Sequence, residues 1–289
     1  MECIENDQLC LQVSSQGAEM YSLIYKPDGR ECLWQGDKKY WKWHAPICFP
    51  IVGLVQEGTT TADGRPVRLT VHGFARDRKF RLLRRSANEI VYELLSDAES
   101  LAVYPYAFAL RVGYTLTGNQ LKTTYEVENK DGQTLYFSLG AHTAYRCPVD
   151  DQGEFADLEL VFPGQERLER SFYEGEFRDG QTGMVLLSES GVLPLRQAMF
   201  ARGVFAFQNP GTKRVQLRQK SSGKSLEVEF GDFPYLGLWT KAEGAPFLCI
   251  EPWHGLTDGP DKLPFEEKEG ICSLAVGGRF SASYTITVN

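Results

Sequence analysis

Long stretches of this chain alternate apolar and polar residues with a period of two, and that pattern most constrains what it can fold into. SASYTITVN sets Ala282, Tyr284, Ile286 and Val288 against Ser281, Ser283, Thr285 and Thr287. LKTTYEVEN sets Leu121, Thr123, Tyr125 and Val127 against Lys122, Thr124, Glu126 and Glu128. FALRVGYTL puts Phe108, Leu110, Val112, Tyr114 and Leu116 on one face. Successive side chains of a strand point to opposite faces, so each pattern predicts a strand with one buried side. Apolar spacing of helical period never persists beyond about two turns. SDAESLAVYPY predicts a short helix begun by Asp97 and stopped before Pro105. Asp-Gly occurs at 28–29, 63–64, 131–132, 179–180 and 258–259. It supplies the positive φ that tight hairpin turns demand. The expected fold class is all-β and mainly antiparallel, a large sandwich of many strands.

At 289 residues, 42% of them hydrophobic, the chain can bury a large core. No linker, charge block or internal repeat divides it, so one domain over 1–289 is expected. GQERLERSFYEGEFRDGQTG (164–183) is polar and reads as a long excursion over the surface. A net charge of −7 argues against a phosphate-backbone partner. The basic run RKFRLLRR (78–85) alternates with apolar residues, as the solvated face of a strand does. MECIENDQLC has no apolar leader segment, and nothing reaches the roughly 18 apolar residues of a membrane span. Seven cysteines without C-x-x-C spacing fit reduced thiols in a cytoplasm. Cys48 and Cys249 lie in apolar runs and read as small core residues, with no activating base beside either in sequence.

LCIEPWHGLTDG (248–259) carries the clearest chemical signal. Phe247 to Ile250 reads as a buried strand, yet the next residue is Glu251. Pro252 follows, cannot donate to a sheet ladder, and is expected to end the strand there. A carboxylate in an apolar setting is costly unless paired, so Glu251 is either a functional acid or half of an ion pair with Arg76 or Arg146. The four histidines, His44, His72, His142 and His254, sit at strand ends and glycine-flanked turns. Loops on rigid scaffolds are where sites are built. His44 and His254 have no local partner and read more readily as structural, whereas His72 and His142 are open to either reading. His72, His142 and Glu251 would match a two-histidine, one-carboxylate metal set, although the spacing does not favour one. No phosphate loop, dinucleotide fingerprint or serine elbow is present.

Read in order, ECLWQGDKKYWKWHAPICFPIVG, VHGFARD, GAHTAYRCP, FGDFPYLGLWT, APFLCIEPWHGLTDG and KEGICSLAVGGRFSASYTI resemble the aldose 1-epimerase (galactose mutarotase-like) superfamily, most closely its LacX-like bacterial branch. The match spans about residues 17 to 289. The resemblance implies a galactose mutarotase-type β-sandwich (a supersandwich), a concave sugar-holding face and an isomerase that interconverts α and β anomers. It implies no cofactor and no metal. The expected partner is a small-molecule sugar, with neither nucleic acid nor membrane, in a monomer or homodimer.

Carried over by position, Glu251 matches the catalytic base, His142 the catalytic acid and His72 the second active-site histidine. Arg76 would bind sugar hydroxyls, and Trp239 would give an apolar wall. Tyr145, Arg146 and His44 are further candidates for substrate contact, with Arg76 and Arg146 together able to accept a phosphate or carboxylate. Two positions depart from the pattern: Leu54, where many relatives carry arginine, and Gly203, where many carry aspartate. The alternatives are a non-catalytic sugar-binding module on the same fold and a hexose-phosphate epimerase.

Overall fold

The computed structural model describes residues 1–150, 152–241 and 244–289. Two large antiparallel sheets face each other. One has nine strands, in chain order Arg81–Arg85, Glu89–Leu95, Phe108–Thr117, Gln120–Asn129, Leu158–Val161, Val192–Pro194, Arg214–Gln219, Ser225–Glu229 and Arg279–Val288. The other carries the site, and its strands are labelled β1 (Ile47–Cys48), β2 (Leu139–Ala141), β3 (Thr143–Arg146), β4 (Arg167–Glu174), β5 (Phe177–Leu186), β6 (Phe205–Gln208), β7 (Tyr235–Trp239) and β8 (Phe247–His254). Its spatial order is β5-β4-β6-β7-β8-β2-β1, with β3 also paired to β8. A four-stranded sheet over residues 2–31 flanks the pair.

The three alternating segments lie in neighbouring strands of the nine-stranded sheet, and their apolar residues are buried as the period requires. They meet the inner side of the second sheet. There Thr143 Oγ1 and Tyr284 Oη share a hydrogen bond of 3.0 Å, and Phe162 packs edge-on against Phe207. The helix Ala98–Val103 forms where expected, because Asp97 accepts from Ser100 N while the Ser100 hydroxyl accepts from Asp97 N. The basic run becomes the edge strand Arg81–Arg85, whose arginines pair with Glu93, Glu89 and Glu2.

Three expectations are corrected. Residues 164–183 hold no surface excursion: most of them form the β4–β5 hairpin at the edge of the sheet. An edge strand has only one flanking strand and wide solvent access, so few of its residues need to be apolar. Asp63-Gly64 does turn a two-residue hairpin between Thr59–Ala62 and Arg65–Arg68, with both φ angles positive. Asp179-Gly180, however, lies inside β5 beside a register shift, so there the dipeptide marks a bulge. Finally, β8 does not end at Glu251: it runs through Pro252 and Trp253 to His254. Pro252 stays in register with Leu236 of β7, and the interruption falls on the opposite neighbour, between β2 and β3 at His142.

Candidate active site

Alternation along β8 sorts its residues between two buried faces. Leu248 and Ile250 enter the main core, while Phe247, Cys249, Glu251 and Trp253 face the other way. Gly140–Trp253 and Thr143–Ile250 belong to one register, which sets His142 directly opposite Glu251 on that outer face. The outcome is a contact of 3.4 Å between His142 Nε2 and Glu251 Oε2. Trp253 lies beside Glu251 because its neighbours are glycines. A Cβ on Gly237 would come within 2.3 Å of the indole, and one on Gly140 within 2.4 Å.

His72 arrives from a loop. Its φ of 60° is a left-handed conformation uncommon for a side-chain-bearing residue. Two backbone hydrogen bonds hold it there: His72 N donates to Gly53 O, and His72 O accepts from Phe49 N. Its Nδ1 accepts from Gly53 N at 3.1 Å and lies 3.2 Å from Cys48 Sγ. A neutral imidazole accepting at Nδ1 carries its proton on Nε2, so His72 is a donor at that atom. The rings of His72 and His142 meet edge-to-face at 5.0 Å. Cys48 thus does have a base beside it, but burial first and then the Glu251 charge push its thiol well above the usual range.

These residues line a cavity of about 430 Å³, within the range of small-ligand sites. Arg76, Trp239, Trp253, Tyr173 and Thr257 also line it. So do Trp41 and Trp43, which sequence reasoning did not single out although W-K-W places two of five tryptophans in one short segment. Trp41 stacks on His142 at 4.8 Å, and Trp239 meets His142 edge-on at 5.7 Å. The Arg76 guanidinium lies 5.1 Å from the Trp43 ring centre, with its Nε unbonded and 3.7 Å from Asp77. A larger hollow of about 530 Å³ lies across Thr257, but its two cations, Arg178 and Lys268, are already paired with Glu269 and Asp258.

Burial governs the electrostatics. Glu251 is 1% exposed, and desolvation drives its carboxyl well above the usual 4.5. The opposing influence is the Trp253 indole N–H, which does not close a hydrogen bond of ordinary geometry. Among the described residues no arginine pairs with Glu251. Desolvation, reinforced by the Arg76 charge, pushes His142 down to about 3. His72 is driven well below 6.5 by desolvation, then by His142 and Arg76. Burial therefore favours the uncharged forms, with one proton held by the Glu251–His142 pair and resident on the carboxyl.

Three residues expected to contact substrate do not line this cavity. Tyr145 is fully buried beneath the sheet. It shares a parity with Thr143, whose hydroxyl bonds Tyr284 in the core, so its ring points away from the cavity. Arg146 does not line the cavity: it stands at the far end of β3, four residues from His142, or about 13 Å along a strand. His44 is also outside. Its ring stacks on Tyr21 at 4.1 Å, and Nδ1 lies 3.7 Å from Glu19, whose carboxylate also accepts from the backbone of His44 and Ala45. Leu54 and Gly203 both line the cavity. Gly203 has φ 96° and ψ −149°, a conformation open essentially to glycine alone, so an aspartate there requires a different backbone.

The family model for aldose 1-epimerase matches residues 2–268. Protein LacX of Lactococcus lactis subsp. lactis, in its chromosomal form, is 32% identical over 99% of this chain and 98% of its own length. A galactose mutarotase related enzyme from Lactobacillus acidophilus superposes with a TM-score of 0.94 at 28% identity, over 100% of this chain and 97% of that one. A galactose mutarotase-like protein from Lactobacillus casei gives 0.93 at 29% identity, over the full length of both. The chain belongs to the aldose 1-epimerase family.

Proposed function

From that membership we propose that the protein is a mutarotase, interconverting the α and β anomers of a hexose or related aldose by acid–base ring opening. The observation that carries the reading is the buried Glu251–His142 pair, 3.4 Å apart at the wall of a pyranose-sized cavity. Anomerisation acts on two oxygens bonded to one carbon, the C1 hydroxyl and the ring oxygen O5. A base and an acid in contact with each other match that demand.

Glu251 takes the proton from the C1 hydroxyl as the C1–O5 bond breaks, and His142 gives its proton to O5. The free aldehyde turns about C1–C2 and recloses on its other face by the reverse transfers. One proton enters the pair as another leaves, so a pair holding one proton suffices for the whole cycle. A bound sugar offering O1–H to the carboxylate and O5 to the imidazole draws that proton from Glu251 to His142. The His72 Nε2–H donates to the ring-oxygen side. Trp41 and Trp239 supply apolar faces that exclude water from the acid–base pair.

Arg76 and His72 are polar donors of the cavity wall, and among the described residues Arg76 is its one arginine or lysine. With Arg146 outside it, the reading favours an uncharged aldose over a sugar phosphate. The test is the rate at which freshly dissolved α-glucose and α-galactose reach anomeric equilibrium, followed by polarimetry or NMR. Acceleration by the protein that disappears in Glu251→Gln and His142→Ala supports the mutarotase. Saturable sugar binding without acceleration identifies a binding module instead.

A further inference from the structure

The strand that delivers Glu251 also delivers Cys249 to the same face, two residues earlier. One ligand atom each from His142, Cys249 and Glu251 lies within 4.8 Å of the others, and all three residues are buried. Two polar atoms of this group lack hydrogen bonds: Glu251 Oε2 and His142 Nδ1. Imidazole, thiolate and carboxylate are each zinc ligands, and three protein ligands with one open position is the arrangement of open tetrahedral zinc sites. Tetrahedral coordination at the usual bond lengths needs ligand atoms roughly 3.5 Å apart, so this cluster must contract by about an ångström. His142 and Glu251 line the cavity, which leaves the fourth position open to a water or a sugar oxygen.

We propose that His142, Cys249 and Glu251 form a binding site for a thiophilic divalent cation such as Zn²⁺, and that the cation inhibits the protein by occupying its acid and base. Binding ionises the Cys249 thiol and the Glu251 carboxyl, and both protons pass to solvent. Occupancy therefore rises with pH. Hard cations such as Mg²⁺ and Ca²⁺, which prefer all-oxygen shells, do not compete. The inhibition rests on the proposed mutarotase reading, whereas the metal site itself does not.

The experiment uses reduced, metal-free protein. Equilibrium dialysis against Zn²⁺ is expected to show one bound ion per chain at pH 8, weakening toward pH 6, with no comparable uptake of Mg²⁺. Co²⁺ is expected to give a thiolate-to-metal absorption band in the near ultraviolet. In the mutarotation assay Zn²⁺ is expected to suppress the catalysed rate. Cys249→Ser and Cys249→Ala retain the basal rate, lose the Co²⁺ band and need at least about tenfold more Zn²⁺, the usual effect of disturbing a metal ligand shell. Absence of uptake by the wild-type protein, or equal uptake by both Cys249 variants, overturns the site. If the protein binds Zn²⁺ at Cys249 but accelerates no sugar, the site stands and the mutarotase reading falls.

Discussion

Glu251→Gln should make the protein more stable while removing its activity. The side chain is fully buried, pairs with no arginine among the described residues and is pushed toward its protonated form because burial penalises the charge. A free glutamate ionises near 4.5, so holding the proton at pH 7 works against 2.5 pH units (7 less 4.5). At about 1.4 kcal/mol per unit, that is at most about 3 kcal/mol withheld from the folded state. A raised carboxyl leaves stability intact below pH 4.5 and erodes it as pH rises toward the folded-state value. Glutamine has nearly the same shape and no proton to lose. The difference in unfolding free energy between variant and wild type should be near zero at pH 4.5 and grow through pH 7 to about 3 kcal/mol at most. In a chain of this size that is several degrees in Tm. The assay is thermal or urea unfolding from pH 4.5 to 8, beside the mutarotation rate, which should fall by a factor of about 10² or more on loss of the base. A variant less stable than wild type at pH 7 would mean that Glu251 is ionised and paired with His142, and the argument from burial would be refuted.

His142, pushed down to about 3, has the opposite sign: its contribution is present above 6.5 and lost as pH falls toward 3, so His142→Phe should lessen the loss of stability below pH 6 in urea titrations. Tyr145→Phe should leave the mutarotation rate within about twofold of wild type and change stability by no more than about 1 kcal/mol, since its buried hydroxyl makes no well-formed hydrogen bond. A large loss of rate would return Tyr145 to the site. Gly237→Ala places a methyl 2.3 Å from the Trp253 ring and should cost about 1–3 kcal/mol in urea unfolding, with a fall in rate as the indole shifts against Glu251. His44→Gln should reduce stability without a comparable change in rate, because its ring serves Tyr21 and Glu19 outside the cavity.

The order of segments and the period-two patterns determined the all-β class, three adjacent interior strands of the nine-stranded sheet and the short capped helix, because alternation is a local property of a pleated chain. Glu251, His142 and His72, which the structure brings to one cavity, could be picked out for a similar reason: a carboxylate inside an apolar run and scarce histidines beside glycines are visible without coordinates. Tertiary structure decided which of the neighbouring residues share the cavity. Tyr145 lies three positions from His142 and Arg146 four, yet one turns into the core and the other reaches the far end of β3. A strand's two faces are distinguished only by what packs on each, and here both sides of β8 and β3 are covered, so polarity gives no hint of which is inward. The 3.4 Å contact between His142 and Glu251 likewise depends on the register between strands more than a hundred residues apart in sequence. That register is set by the packing of whole sheets, which no short segment contains.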